Sequence, residues 1–275
     1  MLVNLNELLS QAIKNKYAIA AFNVFGYEDA KAVIEVAEQL EKSVILLSNK
    51  ASIEHIPVES LGPMYSNMAS QAKVKVCVHL DHCQKEPLIK RAISSGYSSV
   101  MFDGSQFSLE QNIDRTKKIA SWAHSHGVSI EGEVGEIPTK SVDNSLPEYS
   151  NPADVALFAK ETAVDAVAIS IGNIHRQTTK NAVINYKVLS SIEQETKVPL
   201  VIHGTSSIPA EDIKTLSRRQ VAKFNIGTCV RQAFTRSLRY HLGNEPSQFD
   251  RIYFFKKVME DIKPVISEQI LSLCE

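Results

Sequence analysis

VCVHLDHC, residues 76–83, puts two histidines and an aspartate inside or just after an apolar run. Ionisable groups taken out of water are costly unless they are paired or hold a metal, so this stretch asks for a partner elsewhere in the chain. Its apolar part is one of a series. Similar runs are AIAAFNV (18–24), SVILLS (43–48), SVMFDG (99–104), SIEGEVG (129–135), AVAISIG (166–172), PLVIHG (199–204) and KFNIGT (223–228). Amphipathic stretches such as EDAKAVIEVAEQLEK and NPADVALFAKETAV lie between them. Val- and Ile-rich runs that alternate with helical patterns read as βα units of a parallel sheet. Eight such units predict an α/β fold, a (β/α)8 TIM barrel. An open doubly wound sheet would more naturally carry a Gly-rich nucleotide turn after its first strand, and AFNVFGYEDA is not one.

The chain has 275 residues and is 44% hydrophobic, enough for a large core. No linker, low-complexity tract or composition break divides it, so residues 1–275 read as one domain. The tail from Ser247 to Glu275 reads as a helical extension beyond the eighth unit. A net charge of -1 gives no electrostatic footprint for nucleic acid or membrane. The start, MLVNLNELLSQAIKNKYAIA, has the spacing of an amphipathic helix rather than of a signal peptide. No apolar run approaches a transmembrane span. The four cysteines form no C-x-x-C pair, which fits free thiols and a cytoplasmic location.

The polar residues collect at one end. In such a barrel the carboxyl ends of the strands form the active face. The runs end, in order, at Ser48, at Asp81-His82, at Asp103-Gly104-Ser105, at Glu131 and Glu133, at Gly172 with His175 beyond, at His203-Gly204, and at Asn225 with Thr228 beyond. The opposite ends hold mostly Ala, Ser, Val and Pro. Three imidazoles, His82, His175 and His203, therefore face one mouth. Three histidines with an open fourth position make a catalytic Zn2+ site, where the metal would polarise a carbonyl or stabilise an enolate. His79 shares the inward side of its strand with Asp81 and reads as a core residue or a support for the ligands. His55, His124, His126 and His241 read as surface residues. HGTSS (203–207) and NIGT (225–228) follow strands seven and eight, whose loops often hold a phosphate on backbone N–H groups.

At this point the chain resembles the class II, zinc-dependent ketose-bisphosphate aldolases, which include fructose- and tagatose-bisphosphate aldolases. The resemblance runs in order through AFNVFGYEDAKAVIEVAEQ, HLDHC, VMFDGSQFSLEQNIDRTK, IEGEVG, AISIGNIH, VPLVIHGTSSIP and KFNIGTCVRQAF. It implies that His82, His175 and His203 are zinc ligands and that Asp81 is the catalytic aspartate. It links Asp103 and Glu133 to metal binding or to the layer behind it. It makes Ser48, Arg176, Gly204, Thr205, Ser206, Asn225, Ile226, Gly227 and Thr228 the substrate-contacting set, with a phosphorylated sugar as substrate and dihydroxyacetone phosphate as a product. It also implies a monovalent cation, Na+ or K+, near Gly172 and Ser206, and a homodimer or homotetramer.

In that chemistry Asp81 would take the C4-hydroxyl proton during cleavage and return it to the aldehyde oxygen during synthesis. A Schiff-base aldolase would need a desolvated lysine in the mouth. The sixth run has none, Lys223 reads as starting strand eight at the far end, and only Lys50 is near. The chain departs from the family at its loops. HRQTTK stands for H-G-x-Y-K, with Arg176 for Gly. HGTSS stands for H-G-x-S-G, with Ser207 for the second Gly. EIPTKSVDNS lacks the G-G-x-E-D of the loop after strand five, leaving Glu136 and Asp143 as its acids. Lys50 stands where Gly is common. The alternatives are a divergent sugar-phosphate substrate, a non-catalytic or regulatory relative, and a metal-dependent hydrolase. The last would more often carry H-x-H at the end of strand one.

Overall fold

A computed structural model describes residues 1–137, 149–175 and 179–274. Its elements are α1 Leu5–Asn15, β1 Ile19–Asn23, α2 Tyr27–Gln39, β2 Val44–Ser48, α3 Lys50–His55, α4 Val58–Gln71, β3 Val76–Cys83, α5 Glu86–Ser94, β4 Ser99–Phe102, α6 Leu109–Ser125, β5 Ser129–Val134, α7 Pro152–Thr162, β6 Ala166–Ile169, α8 Tyr186–Glu195, β7 Leu200–Ile202, α9 Ala210–Ser217, β8 Val221–Ile226, α10 Thr228–Asn244 and α11 Arg251–Ser272. The strands close as a parallel barrel in sequence order, with β8 pairing back onto β1. This is the (β/α)8 barrel that the alternation of runs predicts.

Period-two alternation along the strands splits the apolar residues into two layers. Ile19, Ala21, Ile45, Leu47, Cys77, Met101, Ala166, Ala168 and Val201 fill the barrel interior. Their neighbours Ala20, Phe22, Val44, Leu46, Val76, Val78 and Val100 pack outward against the helices. The interior layer is joined by Leu5, Leu8, Leu9 and Ala12 of α1, which plugs the amino-terminal end. Asn4 caps that helix by accepting from the Glu7 N–H at 3.1 Å, and the Asn6 N–H donates to Ser129 Oγ at the start of β5. With one end sealed, the carboxyl end is left as the open face.

Two readings change. Strand eight begins at Val221, so Lys223 is its third residue rather than its first. Lys223 is fully buried in the barrel and its Nζ donates to Glu131 Oε2 at 2.7 Å. His241 lies half-buried between α10 and α11 with Nε2 2.8 Å from Asp261 Oδ2, whereas His55, His124 and His126 are exposed as expected. Among the described residues no helix is long and apolar enough to cross a membrane.

The helical tail, α11, packs against α2 and α10. Its Val258, Ile262, Ile266 and Ile270, spaced by four, are buried. Leu273 beyond it accepts the Ala18 N–H at 3.1 Å, tying the tail to the first strand. Removing three carbons from such a buried position leaves a cavity. Ile262→Ala is expected to lower unfolding free energy by about 2–5 kcal/mol. Urea unfolding of both proteins measures it. A change below 1 kcal/mol, well under that range, would mean that the tail is not part of the cooperative core.

Candidate active site

Strand β3 brings Asp81 and His82 to the same mouth by breaking its own alternation. Between Leu80 and Cys83 its register with β4 shifts, so that two residues lie where β4 has one. Such a bulge re-aims side chains. His82 takes φ 49, a left-handed conformation uncommon for a non-glycine residue and one that accumulates at functional sites.

The three histidines meet there. The ring centroids of His82 and His203 are 4.4 Å apart, of His82 and His175 5.0 Å, and of His175 and His203 5.7 Å. Their planes cross at 80°, 69° and 88°, so each ring presents an edge to the others. One nitrogen from each lies within 4.8 Å of the other two. His203 Nε2 sits 2.8 Å from Glu131 Oε1. An ionised carboxylate only accepts, so this nitrogen carries the proton and Nδ1 keeps its lone pair. That lone pair points at His82 Nε2, 2.7 Å away.

Carboxylates crowd the same space. His82 Nδ1 lies 3.6 Å from Asp103 Oδ2 and 3.8 Å from Glu133 Oε2. Asp103 is held by the backbone N–H and hydroxyl of Ser105 at 3.2 and 2.7 Å. Glu133 Oε2 is buried without a hydrogen-bond partner. Burial opposes charge on His82, but Asp81, Asp103 and Glu133 outweigh it and raise the imidazole to about 10. Burial also pushes Glu133 up to about 8, against the pull of His82. Burial would raise Asp103, yet hydrogen bonds from His82 and Ser105 hold it well below the ordinary carboxylate range. Burial first, and then the nearby cations His82 and Lys223, lower His203 and His79. The cluster therefore draws a positive charge to the point between the histidine nitrogens. The donor set suits a divalent metal: three imidazoles, with His82, Asp103 and Glu133 forming a second convergent group around the shared His82.

Asp81 faces the same pocket, a cavity of about 520 Å³. Its Oδ1 accepts from Asn225 Nδ2 at 3.0 Å and its Oδ2 from Asn23 Nδ2 at 3.3 Å. Burial would raise it, but His82, His203 and Lys223 bring it below its ordinary value, so it stands as an ionised carboxylate facing the pocket.

Beside it the loops after β7 and β8 meet. Gly204 adopts φ 72, and a Cβ there would come within 2.5 Å of the Ile174 carbonyl. A short 3-10 turn follows, Thr205–Ser207. Thr205 Oγ1 donates to the Asn225 carbonyl at 2.9 Å, joining the loops after β7 and β8. Gly227 and Thr228 open α10 and line the pocket, so the amino-terminal end of that helix, with its unpaired N–H groups, borders it. Ser207, which replaces a family glycine, accepts the Ile174 N–H at 3.1 Å and donates to the Gly204 carbonyl at 2.9 Å. The departure thus laces the loops of strands six and seven together.

The pocket gathers Asp81, His82, Asp103, Glu133, His175, Gly204, Thr205, Ser206, Asn225, Gly227 and Thr228 from the expected set. It leaves out two. Ser48 shares the outward face of β2 with Val44 and Leu46 and accepts the Tyr97 hydroxyl at 2.8 Å in the helix layer. The Ile226 side chain likewise packs outward, in the cluster that holds Phe224. Gly172, with φ 109, is not a wall of the pocket. Arg176 and Asp143 lie outside the described residues, as does most of the loop Glu136–Ser145; Glu136 itself lines the pocket. Lys50 also lines it, with its side chain 81% exposed and 3.8 Å from Glu54. Among the pocket residues not singled out from sequence are Asn23, Gln84 and Arg231. Asn23 ends β1 on the inward register of Ile19 and Ala21, and Arg231 follows Thr228 by three residues on one helix face. Those two spacings were readable.

The protonation pattern has a consequence for metal uptake. A metal that takes the His82 lone pair must displace a proton held with a value raised to about 10. Affinity should therefore climb by about tenfold per pH unit through neutral pH, with at least one proton released per ion. Calorimetry at pH 7 in buffers of different ionisation enthalpy reads the number directly. Binding that releases none would mean that His82 is not a ligand.

Comparison with known proteins follows the same lines. The family model for class-II fructose-bisphosphate aldolase matches residues 3–274. The crystal structure of the YdjI aldolase from Escherichia coli K12 aligns with a TM-score of 0.86 at 29% identity, covering 99% of this chain and 97% of that one. Fructose-bisphosphate aldolase (Fba) from Campylobacter jejuni aligns with a TM-score of 0.85 at 22% identity, covering 99% and 95%. At that lower identity the likeness is one of fold alone. The family match takes in all the strands and every residue of the histidine cluster, and by it the chain belongs to the class II fructose-bisphosphate aldolase family.

Proposed function

We propose that the protein is a zinc-dependent aldolase that reversibly cleaves a phosphorylated ketose to dihydroxyacetone phosphate and an aldehyde. The observation that carries this reading is the placement of a buried carboxylate, Asp81, beside a three-imidazole cluster whose His82 and His175 line the same pocket. His82, His175 and His203 would hold the ion, with Asp103 and Glu133 behind His82. When bound there, the metal supplies Lewis-acid polarisation of the ketone carbonyl.

The chain's own residues supply the rest. Asp81 takes the C4-hydroxyl proton as the C3–C4 bond breaks, and gives it back to the aldehyde oxygen in the reverse direction. Asn23 and Asn225 fix the two carboxylate oxygens and so set the direction of transfer. The phosphate end sits on Gly204 to Ser206 and on the first N–H groups of α10, where the helix dipole favours an anion. Arg231, at the pocket edge and stacked 5.0 Å from the Phe25 ring, adds a cation. Glu136 is the described acid on the loop after β5 and the natural donor for the proton that C3 needs after cleavage.

The setting proposed is cytoplasmic, with free thiols. The reading includes a homodimer or homotetramer, for which the exposed apolar side chains Tyr240, Phe249 and Ile252, near the end of α10 and the start of α11, are available.

Chelation should abolish cleavage and zinc should restore it. Asp81→Asn should keep stoichiometric zinc and lose about 10²–10⁴-fold in kcat, scored by dihydroxyacetone phosphate release across a panel of ketose phosphates. A chelated enzyme with full turnover would overturn the metal reading. An Asn variant with wild-type turnover would remove Asp81 from the chemistry while leaving the metal in place.

A further inference from the structure

A line of three ionisable side chains crosses the largely apolar barrel interior. Lys223 Nζ donates to Glu131 Oε2 at 2.7 Å, and Glu131 Oε1 meets His203 Nε2 at 2.8 Å. Lys223, Glu131 and His203 are all fully buried. None of the residues flanking this line in the core, such as Cys77, Met101, Ala168 and Val201, can replace a lost partner. Burying an ammonium and a carboxylate this deeply seldom gains stability over apolar packing, so the pair needs a reason beyond holding the barrel together.

The reason lies in a competitor. His79 Nε2 is buried without a hydrogen-bond partner, 3.9 Å from Glu131 Oε2. Its other nitrogen is 2.7 Å from Ser99 Oγ. A Glu131 carboxylate free to turn could satisfy His79 instead of His203. Lys223 prevents this by claiming Oε2, which leaves Oε1 aimed at His203. A ligand imidazole oriented by a carboxylate on its far nitrogen holds metal more tightly, and loss of that partner typically costs 10–100-fold in affinity.

We infer that Lys223 is a positioning residue for the metal centre: it divides the two oxygens of Glu131 so that His203 keeps its proton on Nε2 and turns its Nδ1 lone pair to the ion. Lys223 touches neither substrate nor pocket. The inference rests on the reading of His203 as a ligand.

A double-mutant cycle tests it, with zinc affinity measured by chelator competition and the His203 tautomer read by nitrogen-15 NMR in the metal-free protein. Lys223→Met keeps length and removes the charge. It should lower zinc affinity about 10–100-fold and erode the Nε2–H form of His203. In Lys223→Met with Glu131→Gln, the amide oxygen can accept from His203 Nε2 and its NH2 can serve His79. That protein should recover affinity to within a few-fold of wild type, and recover the tautomer. A purely packing role predicts lower melting temperatures with unchanged affinity and tautomer. Wild-type affinity in Lys223→Met would overturn the inference, as would a double variant that is no better than Glu131→Gln alone or that does not fold. If Lys223→Met alone does not fold, the comparison of the double variant with Glu131→Gln decides. If the wild type binds no zinc, the metal reading fails by itself, and the NMR arm still reports whether Lys223 governs His203.

Discussion

Four carboxylates, Asp81, Asp103, Glu131 and Glu133, converge in the open half of the barrel, and one buried ammonium, Lys223, answers them. Charges so placed are tolerable only if paired, protonated or bound to a cation. The rest of the site can be read as the response to that excess. Lys223 settles Glu131. Asn23 and Asn225 settle Asp81. Ser105 settles Asp103. What is left over falls on the histidines, and on His82 above all, which is why that imidazole holds a proton so tightly. A divalent ion at the same point would replace the proton and discharge the remaining excess.

The scaffold makes this concentration possible. Helix α1 closes the amino-terminal end with leucines, so water reaches the interior from one side only. The loops after β6, β7 and β8 are then tied to one another through Ser207, Thr205 and Asn225. Such ties suit a site whose chemistry depends on placement, where a shift of about 1 Å can cost on the order of 10²-fold. Ser207 is a loop departure whose physical purpose is now visible, whereas Lys50 stands exposed at the pocket edge, paired with Glu54.

Much of this was legible in the sequence because period-two alternation and βα spacing are strong local signals. The barrel, the plugging helix, the helical tail and the convergence of His82, His175 and His203 all follow from them. The exceptions have definite causes. Ser48 and Ile226 end strands at the right height but on the outward register, a distinction that counting from Val44 and Phe224 would have drawn. The bulge after Leu80 has no such signature, so the joint inward aim of Asp81 and His82 could be guessed only from their chemistry. Lys223 was misplaced because β8 starts two residues earlier than its apolar run suggested. Asn225 was read as a phosphate contact; it lines the pocket, and its side-chain amide also holds Asp81. Such a long-range pairing, 144 residues apart, leaves no local trace.

The central claim is that the three imidazoles exist to hold one metal ion. Anomalous diffraction at the zinc edge from crystals of the zinc-loaded protein tests it most directly. The account predicts a single strong peak per chain, bounded by His82 Nε2, His203 Nδ1 and one nitrogen of His175, with ligand distances of about 2.0–2.1 Å. A peak elsewhere, or none between those rings at full zinc loading, would contradict it.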